Sequence, residues 1–145
     1  MSDVQRYSLI RAKAQPPENE LPAVLAAPDV VWRGDGVVFA IPSLAIYTTG
    51  AEIEIVYRTA GDHPRTTEQA LQTSDSLRNL TANGHPVALL GGEHKDHGFS
   101  YRAWISFTGS APRDIAFALE WPGVEAGQRQ VSGIAEAARR ITVLW

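Results

Sequence analysis

Potential ligands crowd at one place in the chain, Glu93-His94-Lys95-Asp96-His97, where two imidazoles and two carboxylates fall within five residues. Neutral imidazole and carboxylate suit zinc and related divalent ions, so Glu93, His94, Asp96 and His97 are the candidate metal set. Two features oppose that chemistry. The His94–His97 spacing serves a metal on a helix, whereas Gly91-Gly92 before the run and Gly98 after it mark a polar loop. Lys95 also sets a positive charge beside the ion. The competing reading is a solvated connecting loop. His63 and His85 sit in Asp-His-Pro and Asn-Gly-His-Pro turns, where imidazoles ordinarily face water.

The second candidate is a binding surface made by Trp104 and Arg102. Alternation in Phe99–Phe107 puts Phe99, Tyr101, Ala103, Ile105 and Phe107 on one face and Arg102, Trp104 and Ser106 on the other. An open tryptophan beside an arginine is a stacking platform or a partner hot spot. In the competing arrangement the C-terminal helix or the segment Leu21–Pro28 covers the ring. Glu52, Glu54 and Glu120 fall on outward faces, and carboxylate pairs run acid–base chemistry only when they converge. No Gly-x-Ser-x-Gly elbow and no phosphate loop is present, so the sequence implies no catalytic residue and no cofactor. Arg33-Gly-Asp-Gly36 reads as a turn.

The elements that must hold these residues are strands. Ile115, Phe117, Leu119 and Trp121 alternate with Ala116, Ala118 and Glu120, and a turn over Thr108–Asp114 links this strand to Phe99–Phe107 as a central hairpin. Glu52–Arg58 turns Ile53, Ile55 and Tyr57 inward. Val37–Ile46 is a long strand with a bend at Pro42-Ser43, read as a blunted edge, and it pairs with Glu52–Arg58 around Gly50. Asn83-Gly84 is a hairpin-type turn leading into Val87–Leu90. Tyr7–Ala14 suggests a first strand, Arg65–Ala82 is polar with a weak helix over Glu68–Thr73, and Gln128–Val131 suggests a short strand. Ile134–Arg140 reads as a short helix capped by Ser132 or Gly133. Ile141–Trp145 is apolar enough to require docking on the body, with the Trp145 ring buried.

The 145 residues are 44% hydrophobic and 20% charged, with a formal net charge of −3 and no cysteine. That size suits a single domain over residues 1–145. The absence of a basic stripe argues against nucleic acid, and lack of cysteine excludes disulfides and thiolate chemistry. Met1–Ile10 lacks the apolar core of an export signal and no segment is long enough to span a bilayer, so a cytoplasmic location without membrane contact is the expectation.

Several pieces of the C-terminal third, namely Gly91-Gly92, Phe99–Phe107, Ala111-Pro112, Leu119-Glu120-Trp121-Pro122 and Ala135–Trp145, resemble a group of uncharacterised small actinobacterial proteins. The early hairpin Leu44–Tyr47 with Gly50–Ile53 resembles the same group. The resemblance implies a β-sandwich and carries no activity. This chain departs from it by placing Glu93, His94, Asp96 and His97 in the glycine-rich loop.

The expected fold is mainly β, a single antiparallel β-sandwich (jelly-roll or Ig-like) with a short C-terminal α-helix. The expected function is a non-catalytic binding or interaction module that uses a sheet face or edge for a protein partner or for homo-oligomer formation. The alternative is a metal-dependent enzyme with its site at Glu93–His97.

Overall fold

A computed structural model describes residues 15–61, 72–73 and 76–145. In chain order the strands are β1 (Glu20–Leu21), β2 (Ala23–Ala26), β3 (Val31–Gly34), β4 (Val37–Ala40), β5 (Ser43–Ile46), β6 (Gly50–Thr59) and β7 (Gln72–Thr73). Then come β8 (Ser76–Ala82), β9 (His85–Lys95), β10 (Gly98–Ser106), β11 (Asp114–Leu119) and β12 (Gly127–Ser132). A helix, α1 (Ile134–Ala138), precedes the final strand β13 (Thr142–Val143). The expected strand over Tyr7–Ala14 lies outside the described residues. So does most of the expected helix over Glu68–Thr73, whose last two residues form β7.

Period-2 alternation builds the middle of the sheet. β6 turns Ala51, Ile53, Ile55 and Tyr57 into the core, and β10 lies antiparallel to it with Tyr57 opposite Phe99 and Ile53 opposite Ala103. On its other side β6 takes β4 along one half and β5 along the other, as the Pro42 bend implies. Proline has no N–H to give a ladder, so the pairing stops at Ile41-Pro42. There Ile41 N–H donates to Val30 and Ala27 N–H donates to Pro42 O. β3 and β2 line the outside of β4 and β5 with a matching interruption. Val37–Ile46 is therefore flanked on both sides and is not the sheet edge expected of it.

The full order is β12-β11-β8-β9-β10-β6-β4-β3, all antiparallel, with β1 and β13 forming a separate two-stranded ribbon. β10 and β11 are consecutive but unpaired, so the expected central hairpin is instead a connection that passes over β9 and β8. The sheet curls until its two ends meet. Arg129 Nε donates to Val31 O at 3.1 Å, Glu125 N–H to Arg33 O at 3.1 Å, and Trp32 Nε1 to Gly127 O at 3.0 Å. Side chains and loop backbone, not a strand ladder, close that seam. The strand order by itself assigns neither a jelly-roll nor an immunoglobulin type.

Inside the curl the aromatic rings pack edge to face, as Phe39 does on Phe99 with centroids 6.3 Å apart, and also tilted and stacked. Phe39 meets Trp121 at 5.4 Å, Tyr57 meets Phe99 at 5.1 Å and Phe99 stacks on Tyr101 at 4.6 Å, geometries that exploit the ring quadrupole. Ile115, Phe117 and Leu119 complete this core from β11, as their alternation implies. α1 begins after Gly133, which takes a left-handed φ of 81° open to glycine. It buries Ile134 and Ala137 against β2, β5 and β11.

Two segments differ from the expectation. Ser76–Ala82, polar in sequence, is a strand that sends Leu80 and Ala82 into the core, supplying the first half of the Asn83-Gly84 hairpin. The C-terminal segment docks through the β13–β1 ladder and through Ile141, which packs partly buried against the core. Its tryptophan does not bury: Trp145 is 78% exposed.

Candidate functional site

The Glu93–His97 run is not a loop. β9 continues through Gly91-Gly92 to Lys95, leaving only Asp96-His97 as the turn into β10. Strand alternation then separates the donors. The Glu93 carboxylate accepts from Lys95 Nζ at 2.8 Å on one face. His94 projects to the other face, where Nε2 lies 3.2 Å from the Tyr101 hydroxyl. His97 Nδ1 points to Gly61 O at 2.9 Å. Lys95, first by its hydrogen bond and then by its charge, holds the Glu93 carboxyl below its ordinary value, with Arg58 adding to this. Among the described residues no three His, Cys, Asp or Glu side chains stand together to hold a metal ion. Glu93 and His94 thus lie on opposite faces of β9.

Gly92 is where it is because of a neighbour. A Cβ there would lie 2.0 Å from Tyr101 Cδ1 and 2.3 Å from Ser100 O. The strand can pass under the Tyr101 ring only without a side chain. One residue further along, the ladder shifts: Arg102 faces Gly91 but Ala103 faces Leu89, leaving Leu90 as a β-bulge.

At this irregularity Ala103 and Trp104 are buried consecutively. Trp104 is 1% exposed and so is not the open platform its alternation suggested. Its ring lies over Gly50, where a Cβ would meet Trp104 Cζ2 at 2.4 Å, and against Tyr47 with centroids 5.8 Å apart. Its indole N–H donates to Ser106 Oγ at 3.0 Å. The cover comes from the β5–β6 turn, a source neither the helix nor Leu21–Pro28 had to supply. Burial pushes the Tyr47 phenol above its ordinary value, with the charges of Glu52 and Glu20 raising it further.

Arg102 does face outward. Its side chain is 62% exposed, and Nη1 donates to Glu52 Oε1 at 3.1 Å, while Glu54 stands directly opposite it in the ladder. These three residues lie in a groove of about 630 Å³ that crosses the outer face of β2, β5, β6, β10 and β9, with Val24, Ser100 and Glu93 also on its walls. On the other side of Arg102 a further hollow of about 470 Å³ is walled by Tyr47, Leu90, Pro17, Glu18 and Glu20. Thr48 donates to Glu20 through its amide at 2.9 Å and through its hydroxyl. Arg102 thus stands between two concavities on a central strand, and the sheet fixes its backbone from both sides.

A separate groove of about 460 Å³ lies between the β8–β9 turn and the β10–β11 connection, lined by His85, Pro86, Ser106, Phe107 and Pro112. Glu120 is far from Glu52 and Glu54 in the sheet order and lines a different hollow beside β12. Of Glu52, Glu54 and Glu120, the first two share a groove with the Arg102 guanidinium. Sequence alternation placed Glu52, Glu54 and Arg102 outward; what it could not supply was their convergence across two strands. Comparison with known family models, curated proteins and solved structures finds no match to this chain.

Proposed function

We propose that the protein is a non-catalytic binding module that holds an extended segment of a partner protein across the outer face of its curled, sandwich-like sheet, in the groove beside Arg102. The observation that carries this reading is the groove of about 630 Å³ with the exposed Arg102 guanidinium on its wall and Glu54 opposite. Arg102 retains donors beyond the one given to Glu52, so it can take a partner's carbonyl or carboxylate. Glu54 can accept from a donor one strand away. Val24, standing largely out of the sheet, adds an apolar contact on the same groove. A rigid strand pair carrying polar groups around an open groove suits recognition, since little ordering is needed on binding.

The surface charge is mixed, and the −3 net charge gives no electrostatic footprint for nucleic acid. No helix among the described residues is long and apolar enough to cross a membrane. Selection of a displayed peptide library on the immobilised protein tests the reading, with counter-selection on an Arg102→Ala/Glu54→Ala double variant. Peptides that survive the counter-selection and bind the parent alone support it. A library that yields no peptide distinguishing the parent from the folded double variant contradicts it.

A further inference from the structure

Four of the five large apolar side chains that the described residues leave exposed lie on one ribbon, Leu21 on β1, Val143 on β13, and Leu144 and Trp145 just beyond it, while Val24 on β2 lines the Arg102 groove. Each is at least half exposed. Leu21 and Leu144 fall on one face of the ribbon, and Val143 and Trp145 on the other. The ribbon that carries them is minimal, with Glu20 opposite Val143 and Leu21 opposite Thr142.

The hydrogen bonds of this ribbon determine which way its free edge points. Leu144 N–H donates to Asn19 O at 2.7 Å, so Leu144 and Asn19 form a hydrogen-bonded pair. In an antiparallel ladder such pairs alternate with non-bonded ones. Val143 opposite Glu20 is then non-bonded, and its N–H and C=O point away from β1. Among the described residues β13 pairs with β1 alone. Val143 therefore presents an outward donor and an outward acceptor, flanked by exposed apolar side chains.

We infer that this edge is a self-association site, in which β13 of two copies pairs antiparallel about Val143 to make a four-stranded ribbon. Twofold antiparallel pairing lets Val143 N–H of each copy donate to Val143 C=O of the other, so the edge is complementary to its own dyad-related copy. Leu21 and Leu144 then continue into their counterparts on one face, and Val143 and Trp145 into theirs on the other.

The charges agree with this arrangement. Glu18 stands at the Trp145 end of the ribbon, while the exposed Arg139 and Arg140 precede β13 at the opposite end. None of the three is in an ion pair among the described residues. Reversal by the dyad brings the arginines of one copy to the end that carries Glu18 in the other.

Trp145 gives the test a direct readout, because Trp32, Trp104 and Trp121 are buried. Sedimentation velocity over a wide concentration range is run beside acrylamide quenching of tryptophan fluorescence. The expected result is a monomer–dimer equilibrium, with quenching falling as dimer forms. Val143→Pro removes the outward N–H without touching the bonds to β1, and proline is tolerated at a strand edge. It should raise the dissociation constant at least about tenfold with unchanged circular dichroism. Glu18→Arg and Arg140→Glu should each weaken the dimer, and their combination should restore it. A chain monomeric at every concentration overturns the inference. So does a dimer indifferent to Val143→Pro and to both charge reversals, or a monomer whose Trp145 is already shielded from quencher.

Discussion

Trp104→Ala separates packing from binding more sharply than any other single change. The indole is 1% exposed, stands over Gly50 and against Tyr47, and loses one hydrogen bond, to Ser106 Oγ, when it is removed. A buried tryptophan takes roughly 150–250 Å² out of water, which at about 25 cal/mol per Å² is ~4–6 kcal/mol. That figure is an upper bound, because denatured chains already bury part of their apolar surface. Measured aromatic-to-alanine losses of about 3–5 kcal/mol set the expected value. Ser106 is solvent-exposed, so water satisfies its hydroxyl and adds no further penalty. For a chain of this size about 2–4 °C accompanies each kcal/mol. Thermal and urea unfolding should therefore show a fall of roughly 6–20 °C. A Trp104→Ala protein that unfolds within about 1 kcal/mol of the parent, yet loses its partner, would refute the reasoning and return the ring to the surface.

Three further changes probe other parts of the structure. Gly92→Ala should cost about 1–3 kcal/mol by pressing on Tyr101 and the Ser100 carbonyl. Gly91→Ala, whose nearest neighbour would be Arg102 Nη2 at 3.8 Å, should stay within about 0.5 kcal/mol in the same melts. Arg129→Ala should lose about 1–3 kcal/mol by opening the seam, since Arg129 bonds Val31 O and lies 5.6 Å over the Trp32 ring. Its check is faster amide exchange in β3 and β12. For Tyr47 the folded phenol is raised above its ordinary value of 10.0. The neutral form is thus favoured on folding, so this stability is complete below the ordinary value and is lost as pH rises through the folded one. Tyr47→Phe should flatten that alkaline fall in urea midpoints.

Alternation made β6, β10 up to Ala103, and β11 legible, because each has one face on the core and a one-residue slip would expose it. Pro42 and Asn83-Gly84 likewise announced a bend and a turn through backbone chemistry alone. β8 was hidden because, among its described side chains, Leu80 and Ala82 alone enter the core, and its partner β11 comes from distant sequence. The glycine pair before Glu93 reads as a loop opening, yet Gly92 serves to let the Tyr101 ring lie on the strand. With β9 extended to Lys95, alternation alone would have parted Glu93 from His94. Trp104 escaped the pattern because it follows a bulge on the neighbouring strand, an irregularity no period records. At the tail, apolar composition suggested a buried Trp145, whereas the segment is held by main-chain bonds and leaves the ring in solvent.

The most direct test of the binding account is a residue-resolved map of a selected peptide on the isotopically labelled protein. Amide shifts and line broadening are followed as peptide is added to the parent and to Arg102→Ala. The account predicts perturbations centred on Glu52, Glu54, Ser100 and Arg102, extending to Val24 and Glu93, and absent in the variant. Perturbations confined instead to His85, Pro86 neighbours and Phe107, around the groove between the β8–β9 turn and the β10–β11 connection, and unchanged by Arg102→Ala, would contradict it.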